Sequence, residues 1–266
     1  MKKLITLLFC IATIMQLHAQ NREGLNYGLR IGALFANNKT AEYFNGGTTG
    51  MNAIHTILSY PEYHDQISDY FNDSDFSLVS PNSPAIMRYK PSLQIGGTLQ
   101  YFFNEKFACI TTINLAKVRS EGIFQIQLAS PPQGTQVGNS NLREGVITST
   151  ENRFGLELGA HYTHLLENSP VSPFIEGGAL VSTLAASSNT LEIGNFNYTL
   201  YNKSNGNTES NHNYFGFGAF ASIGAKMPLE GKVTLMLSFD TRAVKFSSLP
   251  PNAFTLQNSV TVSVLF

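Results

Sequence analysis

The sequence predicts an all-β chain, an eight-stranded antiparallel transmembrane up-and-down β-barrel, and three observations carry that prediction. The chain opens with an export signal, it has no later stretch with the roughly 20 apolar residues of a membrane helix, and its last strand alternates without a break up to Phe266. In that strand Leu256, Asn258, Val260, Val262, Val264 and Phe266 form one face, and Thr255, Gln257, Ser259, Thr261, Ser263 and Leu265 form the other. Such a strand suits the edge of a soluble sandwich or a wall with lipid on its apolar side. Chain ends usually fray into water, and alternation that runs into an aromatic terminus leaves both readings open until the rest of the chain is read.

Residues 1–19 have the layout of a secretory signal: Lys2 and Lys3, an apolar run from Leu4 to Met15, then Leu17-His18-Ala19 with a small residue at the cut. Cys10 lies in mid-run behind Phe9, where a lipoprotein signal wants a small residue, so lipidation is not expected. Cleavage after Ala19 leaves residues 20–24 as a short tail and 25–266 as one barrel domain. Loss of Lys2 and Lys3 takes the 17 basic residues to 15 against 18 acidic ones, a net charge of −3, which gives no electrostatic case for nucleic acid. Cys109 is the one cysteine left, so no disulfide framework is available. A mature chain that spans a bilayer without apolar helices must close its strands on themselves, because backbone polar groups in lipid need internal partners.

Eight runs show the period-two alternation of half-buried strands. The first, Leu25 to Ala36, sets Leu25, Tyr27, Leu29, Ile31 and Phe35 against Asn26, Gly28, Arg30 and Gly32. The second, Tyr89 to Phe103, opposes Leu93, Ile95, Leu99, Tyr101 and Phe103 to Lys90, Ser92, Gln94, Thr98 and Gln100. The third starts at Phe107 after the turn Asn104-Glu105-Lys106, is less regular so that its facing stays open, and runs on through Val118 to Leu128 with a bulge expected. The fourth, Arg153 to Leu165, sets Phe154, Leu156, Leu158 and Tyr162 against Gly155, Glu157, Gly159 and His161. In the fifth, Pro173 to Leu184, Ile175, Ala179 and Val181 oppose Glu176, Gly178 and Ser182. The sixth, Tyr214 to Met227, sets Phe215, Phe217 and Ile223 against Gly216, Ser222 and Lys226. The seventh sets Val233, Leu235, Leu237 and Phe239 against Ser238, Asp240 and Arg242. The C-terminal run is the eighth and is expected to close the ring on Leu25 to Ala36.

The connections sort by length. Those after the second, fourth and sixth strands are short (Asn104 to Lys106, Leu166 to Ser172, Pro228 to Lys232), and those after the first, third, fifth and seventh are long (about 37–88, 129–147, 185–213 and 245–253). Short links then share one end of the barrel and long links the other, an asymmetry that a Greek-key sandwich has no reason to produce. The inner face carries Arg30, Lys90, Glu157, Glu176, Lys226, Asp240 and Arg242 among glycines and hydroxyls. Sparse opposite charges suit a packed lumen, since an eight-stranded barrel is just wide enough for side chains to fill it and buried charges must pair. Without Trp, any aromatic girdle must come from residues such as Tyr27, Phe35, Tyr101, Phe103, Phe107, Phe154, Tyr162, Phe215, Phe217, Phe239 and Phe266.

With these features and the terminal Val262-Ser263-Val264-Leu265-Phe266, the chain resembles the small outer-membrane β-barrel proteins of Gram-negative bacteria, of the OmpA transmembrane-domain and OmpX type. The resemblance implies an outer-membrane location, short periplasmic turns, a short periplasmic N-terminus at 20–24 and long extracellular loops. It implies outer-membrane lipid around the wall and a barrel-insertion machinery that reads Phe266 as part of its signal.

That family hosts unlike activities, so function must come from a site. The sharpest enzymatic candidate is His161 with Glu157 and Glu176, but no Ser or Asp stands at matching spacing, so catalysis is not expected. These residues are read instead as part of a lumen polar network with Arg30, Lys226, Asp240 and Arg242; His164 falls near the periplasmic rim. His55, Glu62, His64, Asp65 and Asp69 are scattered through the first loop in a way that composition alone explains, so neither a metal site nor a cofactor is expected. That loop, about 52 residues over 37–88, is too long for a mere connector. Its middle, Met51 to Phe71, carries enough apolar residues for a short helix or two broken at Pro61, and could plug the lumen, cap the mouth or present a partner-binding face. The Asn-rich third loop, with Asn189, Asn195, Asn197, Asn202 and Asn205 among others, reads as a flexible or hairpin-like extracellular excursion. The expected function is a structural or interaction barrel, displaying loops or serving as a membrane subunit, with loop 1 meeting another envelope or surface protein. A small porin-like pore for ions or solutes is the alternative, and an outer-membrane hydrolase the third reading.

Overall fold

The computed structural model describes residues 24–41, 54–72, 74–79, 86–129, 141–167, 169–199, 213–229, 233–247 and 254–266. The expected signal at 1–19 lies outside the described residues. So does most of the expected N-terminal tail, of which Gly24 is the first residue of a strand.

In chain order the strands are β1 (Gly24–Phe35), β2 (Phe76–Leu78), β3 (Arg88–Tyr89), β4 (Ser92–Phe102), β5 (Phe107–Leu128), β6 (Leu142–Thr163), β7 (Ser172–Ile193), β8 (Phe196–Thr199), β9 (Asn213–Pro228), β10 (Thr234–Phe246) and β11 (Thr255–Leu265). Eight of them close a ring in the order β1-β4-β5-β6-β7-β9-β10-β11, every neighbouring pair antiparallel. The closing ladder runs from Gly28 opposite Leu265 to Phe35 opposite Asn258. Beyond it the Phe266 N–H donates to the Tyr27 carbonyl at 2.8 Å, so the aromatic terminus is held in the wall.

Burial shows which way each strand faces. Outward positions near the short-turn end are exposed and apolar: Leu29 and Ile31, Leu93 and Ile95, Ile113 and Leu115, Leu158, Ile175, Phe217 and Ile223, Leu237 and Phe239, Val260 and Val262. Inward positions at the same height are buried and polar, among them Arg30, Gln94, Thr112, Glu157, His161, Glu176, Asp240 and Thr261. This polarity is the inverse of a water-soluble barrel and puts lipid against the wall. Aromatic residues flank the band below (Tyr27, Tyr101, Phe103, Phe107, Tyr162, Phe266) and above (Phe35, Phe154, Phe215).

Several strands run well past this band. β5, β6 and β7 have 22 residues each, about 70 Å at ~3.3 Å per residue, where 9–11 tilted residues suffice to cross the bilayer. Above the band the pattern reverses: Lys117, Arg119, Gln125, Glu144 and Asn152 point out, while Val118, Phe124, Ile126, Ile147, Leu191 and Ile193 are buried inside.

This reversal corrects four expectations. β5 faces its even residues inward throughout, and its ladder to β6 has no bulge. The irregularity lies between β6 and β7, where Ser187 is the extra residue between Glu151 opposite Ala186 and Thr150 opposite Ser188. The second and third loops are shorter than read, because β6 begins at Leu142, β7 continues to Ile193, and β8 turns back on it; of the third loop, 200–212 lies outside the described residues. Tyr89 and Lys90 are not in a wall strand: β3 pairs with β5 alone, Pro91 has no N–H for a ladder, and Lys90 forms an ion pair with Glu121 instead of facing the lumen.

Among the described residues the first long loop carries three helices, α1 (Asn38–Ala41), α2 (Ile54–Leu58) and α3 (Pro61–Tyr70), with the expected break before Pro61. Ile54, Ile57, Leu58, Ile67 and Phe71 are buried in one cluster with Phe124, Ile126, Leu128, Ile147, Leu191 and Ile193. Of the three roles open to this loop, the described part takes that of a cap packed into the barrel mouth.

Candidate functional site: the lumen and its cap

The interior has three levels, each set by which strand positions reach that height. At the short-turn end Phe174, Met236 and Leu265 form a small apolar plug. The Phe174 ring lies across Gly224 of the neighbouring strand; a Cβ there would sit 2.5 Å from Phe174 Cζ, so glycine makes room for the ring. His161 stacks on Phe174 with centroids 5.1 Å apart, and Phe102 meets it edge-on at 5.6 Å.

The middle level holds the charges. Arg30 Nη2 lies 2.5 Å from Asp240 Oδ2, and its Nε donates to Thr261 Oγ1 at 3.0 Å. Arg242 Nε donates to Glu157 Oε1 at 2.5 Å and its Nη1 to Ser259 Oγ at 2.7 Å, while the Ser259 hydroxyl donates to Asp240 Oδ2 at 2.8 Å. Glu157 and Arg30 are 3.9 Å apart, which joins the two pairs into one network. Buried charges in low dielectric need this multiple pairing, because removal from water costs several kcal/mol per ion.

The structure thus brings together Arg30, Glu157, Asp240 and Arg242 and sets the other network candidates nearby. His161 bonds Glu176 Oε1 through Nδ1 and Thr163 Oγ1 through Nε2, both at 2.8 Å, and not Glu157. Lys226 Nζ lies over the Phe102 ring at 4.9 Å. The other histidines lie elsewhere: His164 at the short-turn rim, and His64 stacked on Phe76 in the cap with Nε2 3.1 Å from Asp75. Among the described residues no three metal-ligating side chains converge.

The upper level was missed by sequence reasoning. Glu151 and Arg153 are buried on one strand two residues apart, with Arg153 Nε donating to Glu151 Oε1 at 2.5 Å. The Tyr89 hydroxyl donates to Glu151 Oε2 at 3.1 Å, and Arg153 Nη2 donates to Thr40 Oγ1 of α1 at 3.2 Å. The Arg153 guanidinium also lies 4.9 Å over the Tyr89 ring. Burial, then the Glu151 charge, pushes the Tyr89 phenol well above its ordinary value. Burial likewise pushes the Glu151 carboxyl up, against the opposing pull of Arg153. The signal that could have found this cluster is the pair of charges on the inward phase of β6, continuing the phase of Glu157 and His161. It ties the start of loop 1 to the wall, and the α3 end is tied by Tyr63, whose hydroxyl donates to Tyr198 of β8 at 2.9 Å.

No protein-family model matches the sequence, and no curated protein matches it either. Solved structures similar to it include the neisserial surface protein A (9% identity over 91% of this chain and 98% of that one, TM-score 0.42). The outer membrane protein OprG from Pseudomonas aeruginosa aligns at 10% identity over 92% of this chain and 96% of that one, TM-score 0.42. Ail, the attachment invasion locus protein of Yersinia pestis, aligns at 11% over 92% and 99%, TM-score 0.35. The membrane assignment rests on the apolar belt and the buried charges. By ring, belt and sorted connections, this chain has the architecture of a small eight-stranded outer-membrane β-barrel.

Proposed function

We propose that this barrel is a structural or interaction protein of the outer membrane, neither pore nor enzyme, which holds a rigid capped projection out to another envelope or surface protein. The observation that carries this reading is the filling of the bore at three heights, by an apolar plug, a joined set of ion pairs and a helical cap. Each level is filled by different chemistry: apolar side chains, ion pairs and packed helices. His161 speaks against catalysis: it is 1% exposed, between two aromatic rings, with both ring nitrogens bonded, and a substrate cannot reach it. The extended strands and the packed cap support the display role, since a loop meant only to connect needs no core of its own.

Planar-bilayer recording of the purified mature protein tests the reading. No unitary conductance is expected, with or without the cap helices; steady discrete openings would overturn it in favour of the pore.

A further inference from the structure

One place in the described lumen holds more free donors than its neighbours satisfy. Between the mid-level ion pairs and the cap lies a cavity of about 30 Å³, lined by Gln94, Asn114, Arg153, Ser182, Arg242 and Gln257 among others. Four nitrogens of its lining residues have no hydrogen-bond partner: Asn114 Nδ2, Arg153 Nη1, Arg242 Nη2 and Gln257 Nε2. Their residues are 6%, 5%, 5% and 4% exposed. They come from four strands, β5, β6, β10 and β11, so their convergence is a product of barrel closure.

The two guanidiniums explain why donors are left over. Arg242 uses Nε on Glu157 and Nη1 on Ser259, which leaves Nη2 with no hydrogen bond and only the Asp240 carboxylate near it, at 3.8 Å. Arg153 uses Nε on Glu151 and Nη2 on Thr40, which leaves Nη1. Asn114 is oriented by its Oδ1, which accepts from Gln94 Nε2 at 2.9 Å and leaves the amide N–H groups free. Buried donors are almost always satisfied in folded proteins, and a set of unmet ones in one cavity signals a species absent from the protein atoms. The volume is room for one or two waters, hence for a single atom-sized ion and not for a tetrahedral oxyanion. An anion can accept from all four donors without bringing hydrogens that need acceptors of their own.

We propose that this cavity binds one monovalent halide-sized anion, chloride in the natural setting, held by Arg153, Arg242, Asn114 and Gln257. The ion completes the join between the charged lumen and the cap anchor.

The test uses the purified mature protein in detergent. Crystals soaked in sodium bromide are expected to show one lumenal anomalous peak within hydrogen-bond distance of both guanidiniums. Thermal unfolding is expected to rise by several degrees and saturate with chloride, relative to gluconate at equal ionic strength. Gln257→Glu brings its own carboxylate into the cavity, so the variant is expected to lack the peak and to unfold at the same temperature in both salts. Ordinary water density with no bromide peak, or melting that ignores the anion, would overturn the proposal. A peak without the anion-specific rise would mean an adventitious ion only and would overturn it as well. Should Gln257→Glu fail to fold, the wild-type peak and melting curves decide alone.

Discussion

Asp240 receives Arg30, Ser259 and Thr261 at once and is 1% exposed, whereas Glu121 meets Lys90 at the surface of the projection. The same chemical pairing therefore has very different weight at the two sites. Asp240→Asn leaves Arg30 short of a counter-charge in low dielectric and is expected to cost about 3–5 kcal/mol, read from the urea midpoint of the folded barrel. Glu121→Gln is expected to cost less than ~1 kcal/mol, as for exposed pairs. The loss has a pH signature. Lys90 holds the Glu121 carboxyl below its ordinary 4.5, so the pair stabilises above that value and the contribution disappears as pH falls through the lower folded-state value. Wild type and Glu121→Gln are expected to converge in acid; a gap that widened there would contradict the pairing.

At the scale of elements, the sequence was most legible where one solvent environment holds along a whole strand. β1, β4, β9, β10 and β11 stay largely within the lipid band, and their alternation gave their facing and the closing pair correctly. β5, β6 and β7 cross from lipid into water, and there the apolar phase changes sides without any change of register: Leu115 is apolar and outward, Val118 apolar and inward. Read as period alone, that switch resembles a bulge or the end of a strand. Of the interior, the mid-level charges were legible because they share the phase of glycines and hydroxyls. Their partners were not, because pairing depends on stagger across the barrel: His161 selects Glu176 on the adjacent strand, while Glu157 reaches across to Arg242. The cap depends on the apolar phase above the band. Ile67 is 0% exposed within it, and Ile67→Ala is expected to loosen the cap by about 2–5 kcal/mol. Limited proteolysis reads this as faster cleavage within 54–72, with the barrel still resistant; equal cleavage of both would mean that cap and barrel unfold together.

For the whole molecule, the height at which the strands change solvent fixes what the cell surface meets. On β5 the outward residues run Phe107, Cys109, Thr111, Ile113, Leu115 and then Lys117, Arg119, so the lipid boundary falls between Leu115 and Lys117. Across the ladder the same boundary falls between Phe154, opposite Leu115, and Asn152, opposite Lys117. Two strands with unrelated residues thus agree on one plane, as a membrane surface requires and a chance run of apolar residues does not. Cys109 lies below that plane, exposed on the lipid side, and is a built-in reporter of it. A charged maleimide added to intact cells is expected to leave Cys109 unmodified and to react with it only after unfolding, because the reagent does not enter hydrocarbon. A Cys109→Ser/Arg119→Cys double variant moves the thiol above the plane, on the same strand and face, and is expected to react at once from outside. Labelling of Cys109 in the folded protein, or protection at 119, would move the boundary and with it the claim that about half of β5 stands clear of the membrane.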